Sequence, residues 1–551
     1  MSKAVSPMKR RRYCIDRTRE PTATTLEADS LRSVSRDRID FTTCLLSDEL
    51  VLHIFSFLSP SDLARCARVN STWFRFANDE LLWKPLFLHR FRNPWLQQPR
   101  IQRRAIASKR KRHEVDDEDY NESGLSTWKS LYKVNHNWRS GNCRISHLDL
   151  DTRLLDTTLA QFHRDILCIA HASPPSIEIW RMKDNRVPIK CGTLQPTSNN
   201  HPITCIKLEA PGDAGSSSSS AYGFRLVAGY GNGGFSLWNL SVSSMNELHA
   251  EEAVIHIPNV RSNSNRSVVS IGISYPMLVL CTASMTLSFF CIDLDSNPAT
   301  NHLVYELTSP IQWSPIVTDI HKLKNQSDDY WRANVCFGMS VGVNMHTVGI
   351  QEFILSRHKI ISSRHSTAFN ENDMFFNDHS NTAFNHTEPI TALAYSEPYI
   401  ITAHANNTIK QYYVRSTAER LELAFSSTLY GHTCKVSALA LDAHAGRLVS
   451  GDRCGVKIWD MPSSERREKS KSDAFHGYYG EVSQSRQQRR RIHGSEFLVS
   501  IDTAMYHSPA QDPPWDIRWL QFDRDKIVAV MANDQDVVET FSVQIWSFAD
   551  T

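Results

Sequence analysis

The sequence predicts an α+β multidomain chain, a small helical unit followed by an all-β propeller of six or seven blades, seven being the better count. Two observations carry this reading. Between Leu45 and Phe91 apolar residues recur at helical spacing, and from residue 141 onward short alternating runs repeatedly end in an aromatic. A chain of 551 residues has room for two or three domains, and a formal net charge of +2 argues against wholesale nucleic-acid binding.

The first helix is expected to start at Ser47, whose hydroxyl caps the exposed N–H groups, with Asp48 and Glu49 against the positive end of the helix dipole. Leu50, Val51, Ile54, Phe55 and Leu58 then read as one apolar stripe. Ser59, Pro60 and Asp62 reset the chain for a second helix, whose apolar face holds Leu63, Cys66, Ala67 and Val69. Asn70 and Ser71 open a third helix carrying Trp73, Phe74 and Phe76. Asn78 or Asp79 opens a fourth with Leu81, Leu82 and Trp83. So small a unit carries more apolar surface than it buries alone, so it is either the corner of a larger core or a docking element.

The order of these residues resembles the F-box. Leu46, Glu49, Leu50, Ile54, Phe55, Leu58, Leu63, Val69, Trp73, Leu82 and Trp83 fall where that family keeps its Leu, Glu, aliphatic and Trp positions. Ser47 stands where the family usually has proline, which implies a modest change in affinity. The resemblance implies a Skp-type adaptor, and through it a cullin, as partners. The adaptor-binding residues it assigns are Leu46, Leu50, Val51, Ile54, Phe55, Leu58, Leu63, Val69 and Trp73.

The expected organisation is a basic tail over 1–40, the F-box over 41–92, a linker over 93–140 and the propeller over 141–551. The linker carries Lys109 to Arg112 followed by acidic residues from Glu114 to Asp119, read as a solvated insert with nuclear import as the alternative. Lys9 to Arg12 form a second basic run. Further loops are expected from Gly212 to Ala221, Phe369 to Asn385 and Ser463 to Arg491. Twelve cysteines without Cys-x-x-Cys spacing, and no visible secretory signal, lead to the expectation of a protein in the cytoplasm, the nucleus or both. From Ser267 to Ile292 no charged residue occurs. Its alternation and Pro276 read as sequential strands of a buried sheet, with no membrane span.

In the β-rich part the clearest unit runs from Tyr430 to Met461, with strands at Val436 to Leu441, Arg447 to Ser450 and Val456 to Trp459. Related endings lie at Ile177–Trp180, Phe235–Leu240, Leu287–Asp293, Ile409–Val414 and Val543–Phe548, while Leu303–Leu355 and Ser495–Phe548 are the least regular. With Gly431-His432 and Trp459-Asp460 this unit resembles the WD-repeat family. Cys454 stands where the family keeps an Asp, so the hydrogen-bond arrangement of His432, Ser450 and Trp459 is expected to be incomplete. In that family the strand carrying Trp546 would be the third of four in its blade, so the resemblance implies an outer strand from elsewhere, and Cys143 to Asp149 is the candidate to close the ring. Trp128, Leu131, Tyr132, Asn137, Trp138 and Gly141 resemble the connecting segment of F-box/WD-repeat proteins.

Two motifs mimic catalytic ones. Gly229, Gly231 and Gly234 match G-x-G-x-x-G, and Gly338, Ser340 and Gly342 match G-x-S-x-G, yet both read as hairpin turns lacking the required helix. His346 and Asp378 have no spacing that supports a catalytic role, and no histidine pair has metal-ligand spacing. The chain is therefore expected to be no enzyme and to hold no cofactor or metal. The resemblance implies a substrate receptor of an SCF-type ubiquitin ligase that binds a target protein for degradation, or else a scaffold acting outside the ligase. The target is expected on the propeller's top face, where Arg453 is the candidate contact for a phosphorylated target and Thr204, Thr391 and Ser437 hold comparable places.

Overall fold

The computed structural model describes residues 46–92, 127–149, 159–182, 188–197, 201–209, 223–243, 246–258, 266–296, 299–323, 329–342, 345–368, 388–417, 419–461, 496–502, 515–533 and 540–549. The expected tail over 1–40, both basic runs, the three expected loops and Asp378 lie outside them. The chain divides into two units, residues 1–85 and 86–551.

The first unit is helical. It contains α1 (Asp48–Phe55), α2 (Pro60–Cys66), α3 (Ser71–Ala77) and the start of α4 (Glu80–Phe87). The cap residues act as their types dictate. The Ser59 hydroxyl accepts from the Asp62 N–H at 3.2 Å with Pro60 at the first helical position, and Asn70 Oδ1 accepts from the Trp73 N–H at 2.8 Å. Ser47 is the N-cap of α1 but makes no capping bond; its hydroxyl binds the Glu49 carboxyl instead. Phe55 packs edge-on to Trp73 and Phe76, with ring centroids 5.4 and 6.2 Å away, and the Trp83 indole N–H donates to the Ala77 carbonyl at 2.8 Å.

Among the described residues of the second unit, a π-helical turn (Leu88–Arg92) and α5 (Trp128–Ser140) precede 28 strands. Phe87 and Phe91 pack against Trp128 and Tyr132 of α5, so packing assigns residues from Leu86 onward to this unit, earlier than the expected boundary at 92. The Thr127 hydroxyl caps α5, and Gly141 ends it at φ +74°, where a Cβ would lie 2.7 Å from Val499. The linker residues singled out by sequence dock this helix on the sheets. Trp138 is fully buried, stacks on Phe548 at 3.9 Å and donates to the Arg524 carbonyl, while Asn137 Nδ2 donates to the Phe548 carbonyl at 2.7 Å.

The strands form seven four-stranded antiparallel sheets, and this is a seven-bladed propeller. Blade 1 holds β2 (Leu159–His163), β3 (Ile166–His171), β4 (Ser176–Arg181) and β5 (Ile189–Leu194); blade 2 holds β6 (Ile203–Glu209), β7 (Phe224–Tyr230), β8 (Phe235–Val242) and β9 (Leu248–His256). Blade 3 holds β10 (Val268–Ser274), β11 (Met277–Thr282), β12 (Thr286–Asp293) and β13 (Thr300–Thr308), which accounts for the uncharged stretch as three strands of one sheet. Blade 4 holds β14 (Ile316–Lys322), β15 (Trp331–Gly342), β16 (Met345–Leu355) and β17 (Ile360–Thr367); blade 5 holds β18 (Ile390–Ser396), β19 (Tyr399–His404), β20 (Ile409–Ser416) and β21 (Leu421–Leu429). Blade 6 holds β22 (Ala438–Asp442), β23 (Arg447–Asp452), β24 (Gly455–Asp460) and β25 (Glu496–Asp502). The expected run from Ser495 to Phe548 is thus two blades: β25 is the outer strand of blade 6, and β26 (Trp515–Phe522), β27 (Lys526–Asn533) and β28 (Thr540–Ser547) form blade 7. Helices among the described residues are too short and polar to cross a membrane.

β1 (Arg144–Asp149) supplies the fourth strand of blade 7, pairing with β28 in the register Ile145 to Trp546 and Leu148 to Val543. The innermost strands contact one another in sequence, and β26 meets β2, so the ring closes. Each pair of neighbouring blades shares an apolar layer. That between blades 7 and 1 contains Leu148, Phe162, Leu167, Val530, Val543 and Ile545.

Leu148 is 7 % exposed and faces this layer. Leu148→Asp would bury an unpaired charge there, so thermal unfolding should show a propeller midpoint well below that of the parent, with the far-UV signal lost in the same transition. A second expectation concerns pH. Burial holds His404 down at about 4, its ring placed by the Glu388 carbonyl and the Thr402 hydroxyl. The unfolded chain, with an ordinary histidine near pH 6.5, binds the proton first. Stability therefore falls as pH drops from 6.5 toward 4, by about 3 kcal/mol from this group. Chemical denaturation across that range should show the slope, reduced in His404→Gln.

Candidate functional site

Two surfaces stand out, one in each unit. On the helical unit, α1 presents two adjacent stripes. Val51 and Phe55 are buried, whereas Leu50, Ile54 and, one turn on, Phe57 are exposed, Phe57 by 77 %. Residues four apart share a helix face, so the single stripe expected from sequence separates into an inner and an outer one. Of the nine residues assigned to adaptor binding, Val51, Phe55 and Leu63 are therefore core residues that hold the shape of the unit. Leu50, Ile54 and Val69 are exposed; Leu46, Leu58 and Trp73 are half-buried. Phe57, Phe74 and Leu81 are exposed large apolar residues that the sequence reading did not assign to this surface. Phe57 follows the predicted stripe at i+3 from Ile54, which is the signal that would have found it. At the start of α1 the Glu49 carboxyl is held below its usual range by its own N–H and the Ser47 hydroxyl, and Arg75 pairs with Asp48 at 3.0 Å.

On the propeller, blade 6 carries a complete hydrogen-bond chain. The Trp459 indole N–H donates to Ser450 Oγ at 2.8 Å, Ser450 Oγ lies 2.7 Å from His432 Nε2, and His432 Nδ1 lies 2.6 Å from Asp452 Oδ2. An ionised carboxylate only accepts, so the imidazole proton sits on Nδ1 and Nε2 accepts from the serine. The other oxygen of Asp452 accepts from the N–H groups of Cys454 and Gly455. The expectation that this arrangement is incomplete is therefore corrected: the acid is Asp452, at the end of β23, and not the residue at position 454. The chain fixes the β23–β24 turn, from which Arg453 projects into solvent.

Thr204, Thr391 and Ser437 serve a different purpose from Arg453. Thr204 Oγ1 donates to the Val268 carbonyl and Thr391 Oγ1 to the Val436 carbonyl, both at 2.8 Å, and Ser437 Oγ donates to the Ile517 carbonyl at 2.5 Å. Each hydroxyl ties its blade to the next. The strand register skips Thr204 and Thr391 at β-bulges, which turn these side chains out of the pleat toward the neighbouring blade. In blade 7 the skipped residue is Arg518, which is exposed and lies 3.8 Å from Asp516. Ile517 faces Gly451 of blade 6, so Arg518 and the Arg453 turn lie on neighbouring blades at one edge of the ring. The bulge that places Arg518 there has no residue-type signal in sequence.

The mimics of catalytic motifs are hairpins. Gly229, the penultimate residue of β7, lies close against Val268, and the positive φ of the turn, +87°, belongs to Gly233. Ser340 and His346 are cross-strand partners of β15 and β16, with no helix between them. Glu352, a buried carboxylate, is paired with Arg332 and Arg364 and bonded to Ser416 Oγ of blade 5, which makes it a link between blades. Among the described residues no three His, Cys, Asp or Glu side chains are grouped to hold a metal.

With both surfaces defined, comparison with known proteins is decisive for the family. A model described as the F-box protein pof12 beta-propeller matches residues 143–541, and an F-box-like model matches residues 48–89. The chain belongs to the pof12-type F-box/β-propeller family. It is similar to the F-box protein pof12 of Schizosaccharomyces pombe, 22 % identical over 76 % of this chain and 84 % of that protein. It is also similar to the F-box/WD repeat-containing protein 8 of Homo sapiens, 25 % identical over 26 % of this chain and 21 % of that one. The F-box/LRR-repeat protein 5 of Xenopus tropicalis is 46 % identical over 44 residues, and this chain spans 7 % of its length. That last protein is named for a different repeat.

For this F-box/propeller protein the blade 6 network gives a direct test of the corrected assignment. Asp452→Ala leaves His432 and two turn N–H groups without their acceptor and should cost about 3 kcal/mol in denaturant unfolding. Arg453→Ala, one residue away, should change stability by less than about 0.5 kcal/mol.

Proposed function

We propose that this chain is the substrate-recognition subunit of an SCF-type ubiquitin ligase. Its F-box docks on a Skp-type adaptor and through it a cullin, and the propeller binds a target protein for ubiquitination and degradation. The observation that carries the reading is the row Leu50, Ile54 and Phe57, large apolar side chains left in water on a helical unit that matches the F-box. Burying each against an adaptor is worth about 1.5 to 3 kcal/mol. Val51, Phe55 and Leu63 support the row from beneath.

The ring brings the target and does no chemistry of its own. The edge bearing Arg453 and Arg518 is the target-facing surface, suited to acidic or phosphorylated residues because a guanidinium binds their oxygens in bidentate fashion. The β23–β24 turn that carries Arg453 is held by Asp452, so part of the cost of ordering the surface is met before a target arrives.

The test is co-purification of the full chain with a Skp-type adaptor and cullin, beside Leu50→Asp/Ile54→Asp. Both residues are exposed, so the variant should fold with an unchanged circular dichroism spectrum and lose at least a hundredfold in adaptor affinity. Failure of the parent chain to bind adaptor would overturn the proposal. Binding of adaptor without cullin would make the protein a scaffold acting outside the ligase.

A further inference from the structure

Beside the hydrogen-bond chain of blade 6 lie two cysteines whose thiols the chain does not use. Cys434 sits in the loop that enters β22, and Cys454 sits in the β23–β24 turn. Their sulfurs are 3.5 Å apart, and the Thr433 hydroxyl lies 3.7 Å from Cys454 Sγ. Both residues are half-buried, so a small oxidant reaches them, unlike Cys168 and Cys336 inside the sheets. We propose that Cys434 and Cys454 are a redox-modifiable dithiol, which peroxide converts to a disulfide joining the entry loop of blade 6 to the turn that displays Arg453.

The backbone on each side is already held. The Ser437 N–H donates to the Gly451 carbonyl at 3.0 Å, and the Cys454 N–H donates to Asp452 Oδ1 at 2.8 Å. Closing the gap between the sulfurs therefore falls to the side chains. In the reduced state burial, and then the adjoining Cys454 sulfur, push the Cys434 thiol up to about 11, so its reactive thiolate is scarce at neutral pH and the link forms faster as pH rises. A peroxide first oxidises one sulfur to a sulfenic acid and is itself reduced, releasing one water. The second thiol then attacks that sulfur, its proton leaves with the displaced hydroxide as a second water, and the S–S bond forms. Two thiols lose two electrons in all, and one peroxide gains them. The product ties together the two segments that supply His432 and Asp452 to the network.

The experiment uses the full chain, folded, treated with hydrogen peroxide, blocked with N-ethylmaleimide, unfolded and digested with trypsin. Cleavage after Lys435 and Arg453 puts the two cysteines on separate peptides. The expected result is one linked species, about 2 Da below the sum of the two peptides, removed by dithiothreitol, with Cys168 and Cys336 still recoverable as thiols. Cys434→Ser should abolish the linked species and leave Cys454 as its sulfenic or sulfinic acid. Recovery of Cys434 and Cys454 from the parent chain as unmodified thiols, or as separately oxidised residues without a link, would overturn the proposal.

Discussion

The pairing of β1 with β28 is the constraint on which the propeller depends. A ring of sheets has no free inner edge only if its last blade meets its first, and blade 7 has three strands of its own. The fourth comes from the segment just after α5, so the beginning and end of the ring are held in one sheet by a ladder from Arg144 to Asp149. α5 reinforces the same place: Trp138 lies against Phe548 immediately beyond β28, and Lys133 and Asn137 bind the carbonyls of Ala549 and Phe548. The closure is thus fastened by backbone pairing, aromatic stacking and side-chain hydrogen bonds at once.

Around the ring the blades are joined by different means at different seams. Apolar layers run between all neighbours, and polar links are added where the inner strand begins. Thr204, Thr391 and Ser437 reach the carbonyl of the next blade, and Ser270 pairs with Thr318 between blades 3 and 4. Between blades 4 and 5 the link is ionic: Arg332 pairs with Glu397 at 3.0 Å, and Glu352, held by Arg332 and Arg364 of its own blade, accepts from Ser416 Oγ. A buried carboxylate is tolerable there because its charge is paired and its oxygens are hydrogen-bonded. At one edge of the ring, on blades 6 and 7, Arg453 and Arg518 are exposed.

The helical unit shows a different balance between structure and surface. Its core is made by Val51, Phe55, Leu63 and Phe76, and its caps by Ser59 and Asn70, so it does not need the exposed row to hold its helices. Leu50, Ile54, Phe57, Phe74 and Leu81 are left in water by the fold. Exposed apolar residues in that number are a liability in a free chain and an asset in a complex.

The closing role of Cys143 to Asp149 was implied by the resemblance to the WD-repeat family, whereas residue type and spacing were enough to predict the helical unit, its caps at Ser59 and Asn70, the aromatic-ended strands and the hairpin nature of both glycine motifs. These are local or period-based features, and short-range physics determines them. The split of α1 into two faces, the bulges that aim Thr204 and Thr391 at the next blade and expose Arg518, the completion of the His432 chain by Asp452, and the meeting of Cys434 with Cys454 were decided only by tertiary structure. Each depends on which neighbour a side chain meets after the strands are paired and the blades packed. A one-residue change in register reverses the face on which a strand residue lies, and no property of the isolated segment records it.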